Sequence, residues 1–194
     1  MDVNSAKDKI LNLMEESLAD NLYYHGKHHT LDVANVVLDL CETENITGRD
    51  KELLVTAAYF HDSGFINTYA NHEEESCALA KKYLPEFGFS KHDLAKVCEM
   101  IMATKIPQRP TNKLEEIICD ADLDYLGRPD FFDIGNSLFK EFQEHNIIKD
   151  EKEWNRLQVK FLESQQYFTN SSINKRTSKK AEHLAEIKRI INQY

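Results

Sequence analysis

Residues 57–65 read AAYFHDSGF, and the pair His61-Asp62 falls where an apolar helix face ought to continue. His61 follows Ala57 by four residues and Leu54 by seven, so it extends the apolar stripe of its helix and is expected to point inward. Asp62 comes next, and Gly64 offers the helix a left-handed stop. The same interruption occurs on two other segments. His29 lies one turn before Val33 and two before Val37, while Asp122 follows Ile118 by four residues and Leu114 by eight. Three helices therefore aim two imidazoles and two carboxylates at the interior. A buried carboxylate without a partner costs several kcal/mol, and two close together also repel. A divalent cation resolves both problems, so His29, His61, Asp62 and Asp122 are the expected metal ligands.

The rest of the chain supplies an ordinary frame for that cluster. Its 194 residues are 41% hydrophobic and 29% charged, enough apolar material for one globular domain. Six Gly, four Pro and no alternating β-branched run predict an all-α fold, a single helical domain over 1–194. A formal net charge of −9 opposes association with nucleic acid or an anionic membrane surface. No apolar run approaches the roughly 20 residues needed to span a bilayer, and the start, MDVNSAKDKILNLM, is charged and helical in pattern rather than signal-like. The expectation is a cytoplasmic protein. Cys41, Cys77, Cys98 and Cys119 are far apart among apolar neighbours, which suits small buried hydrophobes better than a disulfide frame.

Apolar spacing predicts helices at about 5–20, 28–43, 50–61, 72–83, 91–104, 113–126, 129–145, 151–168 and 178–193. Asn71 with Glu74, Ser90 with Asp93, and Asn112 with Glu115 read as N-caps with their boxes. TNSSINKRTSKK, residues 169–180, is polar and basic and reads as an exposed loop before a loosely attached last helix. That helix has a stripe of Leu184, Ile187 and Ile191, expected to pack against its own domain or against a second copy in a homodimer.

A histidine, then His-Asp, then a distant Asp on separate helices resembles the HD superfamily of metal-dependent phosphohydrolases. YHGKHHTLDVANVV (24–37) looks like the first-histidine helix and LLVTAAYFHDSGF (53–65) the His-Asp helix. NHEEESCALAKKYL (71–84) resembles the segment that commonly follows, and EEIICDADLDYLGR (115–128) the helix with the last aspartate. The resemblance spans about residues 22–130; residues 145–194 carry no motif. Three acids compete in CDADLDY, and Asp122 is chosen because the family's ligand usually takes the second position of an Asp-x-Asp, in agreement with its place on the stripe.

The resemblance implies hydrolysis of a phosphate ester of a nucleotide or similar small phosphate compound. Two histidines and two carboxylates suit Mn²⁺, Fe²⁺, Co²⁺, Ni²⁺ or Zn²⁺, with a second, weaker Mg²⁺ or Mn²⁺ also compatible. YHGKHH is similar to the Tyr-His-x-x-x-His signature of cyclic nucleotide phosphodiesterases, which makes His25 the acid toward the leaving oxygen, with Gly26 standing where those enzymes carry asparagine. His72 with Glu73 opens a helix N-terminus, a place suited to phosphate or a second metal. Lys105 stands where many relatives carry a histidine; a lysine can hold phosphate but does not readily bind metal. Lys27, His28 and Arg128 are weaker candidates. Two alternatives remain open: an HD-type di-iron oxygenase, and a nucleotide-sensing or partner-binding module with little turnover.

Overall fold

The computed structural model describes residues 1–194 and is all helical. Its α-helices are α1 Val3–Ser17, α2 Lys27–Thr43, α3 Gly48–Phe60, α4 His72–Tyr83, α5 Lys91–Ala103, α6 Lys113–Asp122, α7 Phe131–Glu144, α8 Glu151–Ser164 and α9 Asn170–Ile191. Short 3₁₀ turns at Ser63–Ile66, Leu84–Phe87 and Asp124–Gly127 follow α3, α4 and α6. No helix is long and apolar enough to cross a membrane.

Two apolar clusters organise these helices. The larger gathers Ile10, Val33, Val37, Leu53, Leu54, Phe60, Ile101, Ile117 and Ile118 with the residues around them, so that α1 to α6 share one core. The smaller joins Tyr24, Leu123, Tyr125, Leu126, Phe131, Leu162 and Ile187, and fastens α7, α8 and α9 to the turn after α6. All four cysteines are buried and unpaired, as small core residues.

The helix boundaries follow local chemistry at several sites. Ser90 and Asp93 form a reciprocal capping box at the start of α5, and Arg49 adds a salt bridge to Asp93. Asn112 accepts from the backbone of Leu114 and Glu115 to start α6, while Glu115 turns back to the Thr111 N–H at 2.6 Å. At α4 the expected box does not form. Asn71 sits at φ 56° with no side-chain cap, and Glu74 pairs with Lys105 instead.

Gly64 also departs from its expected role. It is not a left-handed stop but lies within the 3₁₀ turn, where an added Cβ would fall 1.9 Å from the His72 carbonyl oxygen. Its hydrogen side chain lets the turn after Asp62 press against the first turn of α4. Its N–H donates to Ser76 Oγ at 2.8 Å, and Ser76 donates to the His61 carbonyl at 2.6 Å.

The segment 169–180 is helix rather than loop. Thr169 caps α9 by accepting from Ser172 N–H at 3.1 Å, and Asp120 receives the N–H groups of Phe168 and Thr169 at 2.9 and 2.8 Å. Arg176 makes a bidentate pair with buried Asp124 at 2.7 and 2.8 Å. These partners lie far away in sequence, which is why polar composition misreads the segment. Nor is α9 loosely attached. Ile187 is wholly buried and His183 Nδ1 donates to the Leu126 carbonyl at 2.9 Å, so its stripe is covered by its own chain.

Candidate metal centre and substrate cavity

Each predicted ligand arrives from the end of a helix. His29 stands in the first turn of α2, His61 closes α3, Asp62 begins the following turn, and Asp122 is the last residue of α6. The four side chains converge. His29 Nε2 lies 3.2 Å from Asp122 Oδ1 and 3.5 Å from Asp62 Oδ2, while His61 Nε2 lies 3.2 Å from Asp62 Oδ2 and 3.5 Å from Asp122 Oδ1. Ligand atoms of His29, His61 and Asp122 all fall within 4.8 Å of one another.

The residues fit a divalent cation on three counts. His61 Nε2 and Asp62 Oδ2 are buried and make no hydrogen bond, although they face each other across 3.2 Å. His61 Nδ1 lies 2.8 Å from the Ala58 carbonyl, which takes the ring proton and leaves Nε2 with its lone pair toward the cluster. Finally, neutral imidazoles with two carboxylates leave two negative charges in a buried place. Burial alone would push His61 down; Asp62 and Asp122 overcome it and hold the imidazole well above its usual range. Burial likewise opposes ionisation of Asp62 and Asp122, yet His61 holds the first well below the usual carboxylate range and His29 and His61 lower the second. The proton that the carboxylates favour on His61 stands in for the positive charge that the site demands.

The three acids of CDADLDY separate by role. Asp120 holds the Phe168 and Thr169 N–H groups at the entry to α9, Asp124 pairs with Arg176, and only Asp122 faces the histidines, with Gln108 Nε2 donating to its Oδ2 at 3.4 Å.

Around the cluster lies an aromatic and polar shell. Phe65 is sandwiched between the rings of His25 and His72, with centroids 4.2 and 4.0 Å away. His72 Nε2 lies 3.3 Å from Asp62 Oδ1, and Asp62 raises the His72 pKa against the lowering effect of its burial. His25 Nδ1 pairs closely with Glu141 Oε1. Glu141 is fully buried on α7 and also accepts from Tyr24 N–H at 2.8 Å, His25 N–H at 3.0 Å and Tyr69 Oη at 2.9 Å. Sequence reasoning missed Glu141, although a signal was present. It follows Leu138 by three residues and Ile134 by seven, a polar break in an apolar stripe of the kind that marked Asp122.

Tyr24 is unsuited to donate a proton, since burial first, and then Tyr125 and Asp122, hold its phenol well above the usual range. The remaining candidates make no hydrogen bond to the four proposed ligands, although His28 and Arg128 line a second cavity of about 310 Å³ with Tyr24 and His29. Lys105 is committed to Glu74 at 2.6 Å and Asn71 at 3.2 Å. Lys27 pairs with Glu15, His28 is exposed, and Arg128 is held by Asp32 and Asp130.

A cavity of about 330 Å³ opens on the cluster, with His25, Asp62, His72 and Asp122 in its lining together with apolar side chains of the turn after α6 and of α7 and α8. The arrangement can hold a cation, receive a small molecule beside it and present an imidazole to that molecule.

Comparison with known proteins agrees with this geometry. The family model described as "HD domain" matches residues 26–124. A solved structure described as a predicted HD superfamily hydrolase, from an uncultured Thermotogales bacterium, superposes with a TM-score of 0.63 at 19% identity, covering 96% of this chain and 91% of that one. No curated relative matches the chain. A family match over about half the chain and a shared helical fold, with His29, His61, Asp62 and Asp122 converging inside the matched segment, place this protein in the HD-domain family.

Proposed function

We propose that this protein is a metal-dependent phosphohydrolase that cleaves a phosphate ester bond in a small compound. The observation that carries the reading is the pair of orphaned buried atoms, His61 Nε2 and Asp62 Oδ2, pointing with His29 and Asp122 at one spot beside an open cavity. His29, His61, Asp62 and Asp122 would hold a first-row transition metal, the mixed nitrogen and oxygen donors being better matched to it than to Mg²⁺. A divalent cation in such a place lowers the pKa of a water and screens the charge of a phosphoryl group.

The chain's own groups supply the rest. Glu141 takes His25 Nδ1, which leaves Nε2 as the nitrogen available to donate a proton to the leaving oxygen. The Glu141 contacts to the Tyr24 and His25 backbone fix that ring, and Phe65 limits its tilt. His72 steadies Asp62 from the cavity side and is placed to bond a phosphoryl oxygen.

The test couples metal content to turnover. Wild-type protein supplied with Mn²⁺ is expected to carry about one equivalent of tightly bound transition metal and to hydrolyse a nitrophenyl phosphate. Asp62→Ala is expected to lose both. Full metal retention in that variant, or no turnover of any phosphate ester by the loaded wild type, would sink the proposal.

A further inference from the structure

Beyond that reading, and resting on it, the composition of the cavity defines the class of substrate. Its lining divides by element. Residues before Asp122 contribute the polar side chains His25, Asp62, His72 and Glu73, whereas Leu126, Phe131, Phe142, Trp154, Phe161 and Leu162 supply a nearly continuous apolar wall. Gln158 is the polar exception in the wall, and its amide nitrogen is already engaged by Asn155 at 3.2 Å.

No lysine or arginine lines the cavity. Lys105, between the lining residues Thr104 and Ile106, and Arg128, which lines an adjoining cavity of about 310 Å³ with His29, are the nearby candidates for a phosphate clamp, and each is paired with carboxylates, Glu74 for the first and Asp32 with Asp130 for the second. A second or third phosphate on the substrate would therefore meet Glu73 and apolar rings with no unpaired cation to balance its charge. A sugar would likewise bury hydroxyls against carbon, at the cost of their hydrogen bonds to water. The volume sits at the low end of ligand pockets, about 300–1,000 Å³.

We infer that the substrate is a phosphomonoester carrying one phosphate on an uncharged, largely apolar alkyl or aryl group, with the phosphate at the His29–His61–Asp62–Asp122 end and the organic group against Phe142, Trp154 and Phe161. Hydrolysis transfers the phosphoryl group to water: the bond from phosphorus to the ester oxygen breaks, water oxygen bonds to phosphorus, and the leaving oxygen takes a proton to depart as the free alcohol.

The chain contains one tryptophan, Trp154, and it stands in this wall, so its fluorescence reports occupancy directly. The experiment uses Mn²⁺-loaded full-length protein with ethyl, butyl and hexyl phosphates, whose alcohols have closely matched acidity, and with ATP. Expected is a kcat/KM that rises by roughly fourfold per methylene, the gain from burying a CH₂ group, with ATP turned over more slowly than hexyl phosphate. In parallel, hexylphosphonate should change the Trp154 emission and bind at least tenfold more tightly than methylphosphonate. Phe142→Ala should reduce the hexyl-to-ethyl ratio, which is read within one preparation and so cancels any loss of folded protein. A flat chain-length dependence, or ATP exceeding hexyl phosphate, overturns the inference while leaving phosphohydrolysis intact. Chain-length-dependent phosphonate binding with no turnover of any ester supports the ligand class and sinks the hydrolase reading instead.

Discussion

At the end of the cavity built by α2, α3 and α6, the groups around the cluster are fixed by further contacts, whereas at the end built by α7 and α8 the walls rest on apolar contact. His61 is pinned through Nδ1 to Ala58, Asp122 is approached by Gln108, and Asp62 is flanked by His72. Phe142 and Leu157, by contrast, are partly exposed, and Phe142 meets Trp154 edge to face at 5.9 Å. The first arrangement tolerates little displacement because buried charge must stay compensated; the second can change shape at the cost of packing alone. On the proposed function, chemistry falls to one end of the cavity and choice of substrate to the other.

The sharpest way to break this division is to loosen the joint between the two ends. Arg176 of α9 grips Asp124, two residues beyond the proposed ligand Asp122, with both carboxylate oxygens engaged and Asp124 only 3% exposed. Removing Arg176 leaves buried Asp124 with only the more distant Arg128, at 3.8 Å, so Arg176→Ala should cost about 3 kcal/mol in urea unfolding. Replacing both partners, as Asp124→Asn with Arg176→Met, should recover part of the loss. If the ends are separable, the single variant keeps its bound metal while folded. Metal lost in proportion to stability would show that the C-terminal helices help to set the ligand geometry.

The same division explains what was legible in the sequence. His29, His61 and Asp122 interrupt apolar stripes on short-range helical spacing, and local periodicity suffices to find such residues. Ser90 and Asn112 are legible for the same reason, since a cap needs only the next three residues. Asn71 has the composition of a cap and fails to act as one, because a positive φ carries its side chain to Lys105. The start of α9 depends on Asp120 and Asp124, about fifty residues away in sequence, and no local pattern reports such partners. The apolar wall was hidden too, because core-facing and cavity-facing side chains on α7 and α8 share one periodicity.

Glu141 belongs to the wall by its helix and to the chemistry by its contacts, so it tests where the boundary runs. Glu141→Gln preserves shape but weakens the grip on His25, and kcat on hexyl phosphate should fall by roughly 30-fold, below the 10²- to 10⁴-fold typical of the proton donor itself. A nitrophenyl ester, whose leaving group needs no proton, should lose far less. Equal losses on the two esters would reduce Glu141 to a packing residue and remove His25 as the donor.

The smallest effect is expected at Lys105, and its smallness is informative. A lysine between two residues of the cavity lining, Thr104 and Ile106, invites a role in binding, yet its ammonium is exposed and bound to Glu74 and Asn71 at the start of α4. The Glu74 carboxylate raises its pKa, so the pair stays charged across the neutral range and is screened by solvent and salt. Exposed pairs of this kind contribute little, so Lys105→Ala should leave kcat/KM on hexyl phosphate within about twofold and the melting temperature unmoved. A tenfold loss confined to KM would place the lysine on the substrate. The cavity would then have a cation after all, and its preference for an uncharged organic group would need to be reconsidered from that residue outward.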